Sequence, residues 1–173
     1  MLDKSWLTIK DLKYTFPNSG LFLSIDSLDL TKTTNLLIGK NGSGKTTLLN
    51  IIRGFISIEN PNAVLLRNNK NISVIDQNML VINYLTVLET VFIGCGLNKQ
   101  YSTIYDKCFL ELFDYYANQL GLYDLKSQMI NTLSQGQIQR TLLLNCLLSK
   151  PSLILADEFI SSQDTYYKKR CMD

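Results

Sequence analysis

The chain has 173 residues, 46% of them hydrophobic, and its 17 Lys and Arg against 15 Asp and Glu leave a formal charge of +2. That is enough apolar material for one cored domain with a small appended lobe, and too little net charge to imply a nucleic-acid partner. The absence of His, and the wide spacing of Cys95, Cys108, Cys146 and Cys171, argue against a zinc site and for reduced thiols.

Residues 6–30 read as a hairpin or small sheet. Leu7 and Ile9 alternate with polar neighbours, Pro17-Asn18-Ser19-Gly20 is a turn, and Leu21, Leu23 and Ile25 alternate again. Tyr14 and Phe16 sit in this stretch, suited either to packing or to stacking on a base. The N-terminus has no long apolar core, and no run of about eighteen apolar residues occurs, so the expectation is a soluble chain that neither spans a membrane nor is exported.

A strand-like run, Asn35-Leu36-Leu37-Ile38, leads into Gly39-Lys40-Asn41-Gly42-Ser43-Gly44-Lys45-Thr46-Thr47, a full G-x-x-x-x-G-K-[ST] match that opens a helix-like run to Arg53. Gly39, Gly42 and Gly44 permit the backbone angles and close approach that let successive N–H groups converge on phosphate oxygens. The helix N-terminus adds about half a positive charge to that of Lys45. Lys45 can reach β- and γ-phosphates, and the Thr46 hydroxyl can ligate Mg²⁺.

Arg53-Gly54 stops this helix, and Ala63 to Leu66 and Ile72 to Ile75 are short strand candidates. Residues 79–132 turn helical: Leu85, Leu88 and Phe92 keep one face, and Tyr105, Cys108, Phe109, Leu112, Phe113 and Tyr116 keep another. Gly94 and Gly96 are expected to break this region and Gly121 to end its second helix. Ser134 with Gln137 three positions on reads as a capping box before an apolar helix face that Lys150-Pro151 closes. The run Leu153-Ile154-Leu155-Ala156 then ends in Asp157-Glu158. In a parallel sheet ligands gather at the carboxyl ends of strands, which turns both acids toward the phosphate loop. The basic cluster Lys168-Lys169-Arg170 reads as a solvated helix end.

In Leu133-Ser134-Gln135-Gly136-Gln137 the chain resembles the signature of ABC transporter ATP-binding domains, L-S-G-G-Q, with Gln135 in place of one Gly. The order of phosphate loop, signature and acidic strand is that of the family. Leu85-Thr86-Val87-Leu88-Glu89-Thr90-Val91 resembles its L-T-V-x-E-N-V stretch, and Ser161-Ser162-Gln163-Asp164 resembles the S-A-L-D of its D-loop. Departures are Phe159 where the family has Pro, a short span from Lys45 to Gln77, and no switch His or following strands. From these the chain is expected to be truncated after the D-loop.

The resemblance implies an α/β P-loop NTPase: a mostly parallel core sheet flanked by helices, an N-terminal antiparallel β lobe, and an α-helical subdomain carrying the signature. It implies a single domain, with about residues 1–77 and 150–173 as nucleotide-binding core and about 78–149 as helical subdomain. ATP and Mg²⁺ are the implied cofactors, with no other metal. Residues Gly39 to Thr47 would hold the phosphates, Phe16 would stack on adenine with Tyr14 the alternative, and Thr46, Gln77 and Asp157 would hold the metal. Glu158 would be general base with Gln77 beside it, and Ser134, Gly136, Gln137 and Asp164 would meet a nucleotide across a head-to-tail dimer with a second ATP-binding domain. The implied function is to energise transport through a separate multi-span membrane permease, from the cytoplasmic face of a membrane. A soluble non-transport ABC ATPase, and a truncated or regulatory nucleotide-binding chain with little hydrolysis, remain alternatives.

Overall fold

A computed structural model describes residues 7–17, 19–30, 34–66, 72–75, 82–96 and 101–157. These belong to two compact units, Met1–Asn71 and Ile72–Asp173.

In the first unit the alternating segments form the predicted hairpin. Strand β1 (Leu7–Thr15) pairs antiparallel with β2 (Phe22–Leu30), Leu7 opposite Leu30 and Thr15 opposite Phe22. The turn closes where the Phe16 N–H donates to the Leu21 carbonyl at 2.8 Å, and Gly20 takes the left-handed φ of 66° that the reversal requires. Strand β3 (Val64–Leu66) pairs with the other side of β1, so the order is β2-β1-β3. Central β1 therefore buries Leu7, Ile9 and Leu12 completely, about 1.5–3 kcal/mol for each side chain. The alternation shifts by one at Asp11, whose φ of 51° lets burial resume at Leu12.

Helix α1 (Lys45–Ile52) turns Leu48, Ile51 and Ile52 inward and stops at Arg53, beyond which Gly54 adopts a φ of 77°. Residues 35–38 depart from expectation. They belong to neither sheet, and Leu36 and Ile38 are 71% and 82% exposed. An apolar run becomes a strand only by hydrogen bonding to a neighbour, and none of the described strands pairs with this one.

In the second unit β4 (Ile72–Ile75) runs parallel to β5 (Leu153–Ala156), with Ile72 opposite Leu153 and Ile75 opposite Ala156. The Asp157 N–H extends the ladder to the Ile75 carbonyl at 3.0 Å. The predicted parallel apolar strand is thus present.

Helix α2 (Val87–Gly96) starts later than the Leu85 face suggested, because the Leu85 carbonyl accepts instead from the Ile130 N–H at 2.9 Å. Its first turn is held reciprocally: the Glu89 carboxylate accepts from the Thr86 N–H at 2.8 Å and Thr86 Oγ1 accepts from the Glu89 N–H at 3.2 Å. Those Thr86 bonds hold the Glu89 carboxyl below its usual range. Helix α3 (Lys107–Gln119) is capped by Asp106, which accepts from the N–H groups of Cys108 and Phe109. Val87, Val91 and Cys95 on α2, and Phe109, Phe113 and Ala117 on α3, form two buried stripes at four-residue spacing. Tyr105 and Cys108, expected on the apolar face of α3, are exposed, since Tyr105 precedes the helix and Cys108 lies in its first turn away from the stripe. Gly121, at a φ of 64°, follows α3 as predicted.

Helix α4 (Gln135–Leu148) lies against α2, which ends at Gly96 as expected, and their contact explains Gly94, which stands inside α2. A Cβ at position 94 would collide with the side-chain amide of Asn145, whose Nδ2 donates to the Thr90 carbonyl at 3.3 Å. Burial pushes the thiol of Cys146, the next residue of α4, up to about 11.

Candidate nucleotide site

The phosphate loop lies in the first unit and is built as its glycines require. Gly42 and Gly44 have φ of 78° and 91°, left-handed values that strain any residue with a Cβ. A Cβ on Gly39 would sit 2.6 Å from Ser43 Oγ, so this glycine provides close approach within the loop. The Ser43 N–H donates to the Lys40 carbonyl at 3.1 Å, and Gly44 is the N-cap of α1.

Lys45 ties the loop to itself: its ammonium donates to the Gly39 carbonyl at 2.8 Å and the Lys40 carbonyl at 2.9 Å. An ammonium has three donors, so one remains for an anion at the loop. No acidic residue stands in the first turn of α1 and no side chain caps it, so the helix dipole is not already neutralised there. Thr46 is exposed at this N-terminus, with a hydroxyl of the hard-oxygen kind that Mg²⁺ prefers. Lys40, Asn41 and Ser43 are exposed along the same loop, and Thr47 is half-buried.

The hairpin adjoins this loop through Leu23, whose alternation places it on a strand but gives no sign of this contact. A Cβ on Gly44 would lie 3.3 Å from Leu23 Cδ1, so the end of the loop rests on β2. Leu23 is the cross-strand partner of Tyr14, and the Tyr14 and Phe16 rings meet edge to face with centroids 5.2 Å apart. The signal available in the sequence was the alternation that placed Leu23 on a strand.

In the second unit Ser134 caps α4 as its spacing predicted. Ser134 Oγ accepts from the Gln137 N–H at 3.3 Å, and the Gln137 side chain accepts from the Ser134 N–H at 2.8 Å. Ser134 remains exposed, and Gly136 is buried. Asp157 follows directly on β5, half-buried, and supplies a carboxylate at the carboxyl end of the parallel pair. Gln77, Glu158 and Asp164 lie outside the described residues. Among the described residues no group of three or more acids, thiols or imidazoles could by itself cage a metal.

Residues 27–161 match the profile of the ABC transporter family. The chain belongs to that family. Among its relatives, the spermidine/putrescine import ATP-binding protein PotA of Borreliella afzelii (strain PKo) is 29% identical over 175 residues, covering 94% of this chain and 49% of that protein. The bacitracin export ATP-binding protein BceA of Halalkalibacterium halodurans is 32% identical over 143 residues, 75% of this chain and 55% of that protein. The chain spans about half the length of the curated relatives it matches.

The ABC fold is matched in solved structures too. CbiO1 from Clostridium perfringens, described as part of the ABC transporter complex cbiONQ, superposes with a TM-score of 0.76 at 18% identity, over 96% of this chain and 70% of that one. An inward-facing metal-chelate type ABC transporter gives a TM-score of 0.74 at 23% identity, over 98% and 65%. The P-loop NTPase architecture expected from the motifs is therefore the fold of the chain.

Proposed function

We propose that this chain binds and hydrolyses ATP and that it energises transport of a substrate through a separate membrane permease. The observation that carries this reading is the phosphate loop, with left-handed Gly42 and Gly44, Lys45 tied across its mouth, and an uncapped helix N-terminus behind it. Membership of the ABC family and relatives named as import or export ATP-binding proteins support the transport role. No helix among the described residues is long and apolar enough to cross a membrane. The chain would work peripherally, on the cytoplasmic face.

In this reading Gly39 to Thr47 hold the phosphates, the loop amides and Lys45 offsetting their charge, and Phe16 takes the adenine face. Thr46, Asp157 and Gln77 are oxygen donors that suit Mg²⁺, which when bound neutralises charge building on the phosphoryl oxygens. Glu158 accepts the proton of the attacking water as general base, with Gln77 near the metal. Ser134, Gly136, Gln137 and Asp164 act on the nucleotide of a second copy or a second ATP-binding domain, in a head-to-tail dimer. The capping geometry supports this, because a Ser134 oxygen that accepts from Gln137 still has its own proton to donate.

ATP then holds two copies together and hydrolysis releases them. Light scattering of Glu158→Gln checks this. Saturating MgATP is expected to raise the mass from 19.7 kDa to about twice that value, and Ser134→Arg to block the shift by crowding the contact. A chain that binds MgATP by calorimetry yet stays monomeric contradicts the dimer.

A further inference from the structure

Two rings meet where β1 runs into the hairpin connection. Tyr14 stands two residues beyond the buried Leu12 on β1, so these two side chains point the same way, and Phe16 follows just past the end of the strand. Both are half-buried, so each keeps accessible ring surface. Their planes meet at 78° with centroids 5.2 Å apart, the edge-to-face arrangement that quadrupoles favour.

The two differ in how they are anchored. Tyr14 lies within β1 and pairs with Leu23, the residue that receives the backbone of Gly44 at the end of the phosphate loop. Phe16 lies beyond the last residue of β1, in the hairpin connection, held there by its N–H bond to the Leu21 carbonyl. Tyr14 is therefore connected through one cross-strand pair to the loop, whereas Phe16 is set at the turn end of the hairpin.

We infer that Tyr14 is a positioning residue for base recognition: its ring holds Phe16 in one rotamer and registers that platform against the phosphate loop through Leu23. The inference rests on the proposed nucleotide site and adds a residue to it. A platform fixed before binding does not lose rotamer freedom when a base stacks on it, so its removal weakens binding of the base and leaves phosphate binding alone. The phenol oxygen has no part in this, and Phe in place of Tyr preserves it.

Calorimetry with MgATP and with magnesium tripolyphosphate separates the possibilities. Tyr14→Leu is expected to weaken ATP binding about 3- to 10-fold and to leave tripolyphosphate affinity unchanged, while Tyr14→Phe retains ATP affinity. Phe16→Leu should cost more than Tyr14→Leu on ATP, again sparing tripolyphosphate. Equal losses on both ligands, no loss on either, or a greater loss for Tyr14→Leu than for Phe16→Leu overturns the inference while leaving the phosphate site standing. A wild-type chain that binds neither ligand overturns the nucleotide reading and the inference together.

Discussion

Replacing Lys45 by Ala is expected to raise the dissociation constant for MgATP about 10- to 100-fold, the loss of one charge-assisted hydrogen bond in a partly screened site. The ammonium has two roles, and both end with the substitution. In the proposed site it would carry the positive charge nearest the phosphates, and its bonds to the carbonyls of Gly39 and Lys40 hold the two ends of the loop together. Lys40 supplies only its backbone carbonyl to that clasp and its side chain is exposed, so Lys40→Ala should change affinity no more than about twofold. Titration calorimetry of the three proteins checks this. Unchanged affinity in Lys45→Ala would remove the loop from the account.

Gly94→Ala is expected to destabilise the second unit, against the usual direction for that exchange in a helix. Alanine favours a helix interior by about 0.8–1 kcal/mol over glycine. Here its methyl group would occupy the space of the Asn145 amide, and overpacking costs about 1–3 kcal/mol. Moving the Asn145 side chain aside also gives up its bond to the Thr90 carbonyl and the contact in which Ser149 Oγ donates to Asn145 Oδ1 at 3.5 Å. The packing loss exceeds the propensity gain. A lowered urea midpoint in Gly94→Ala is therefore expected, and Asn145→Ala should absorb the new methyl, so that the double variant is more stable than the sum of the single effects predicts. Additive effects, or a stabilised Gly94→Ala, would show that the two helices do not pack as described.

The same glycine shows where reading the sequence ends. Beside Gly96 it looked like a helix break, because its partner, Asn145, stands 51 positions further on and local rules do not reach that far. The capping box at Ser134, the turn at Gly20 and the stop at Gly121 are decided within a few residues, and each was legible. The phosphate loop was legible for the same reason: glycines, lysine and helix start are contiguous. The composition of residues 35–38 suits a strand, yet strand character belongs to a pair, and this run joins neither described sheet. Leu23 could be assigned to a strand, but its contact with Gly44 depends on how the hairpin meets the loop. Glu158 and Gln77, outside the described residues, are known from the sequence pattern alone.

Phosphate release from MgATP by the purified chain, beside Glu158→Gln, tests the proposed activity most directly. The account predicts Mg²⁺-dependent release that falls about 100-fold or more in Glu158→Gln, the loss typical of a general base, while ATP binding persists. Release that Glu158→Gln leaves undiminished, or none at all from a wild-type chain that binds ATP, would contradict it.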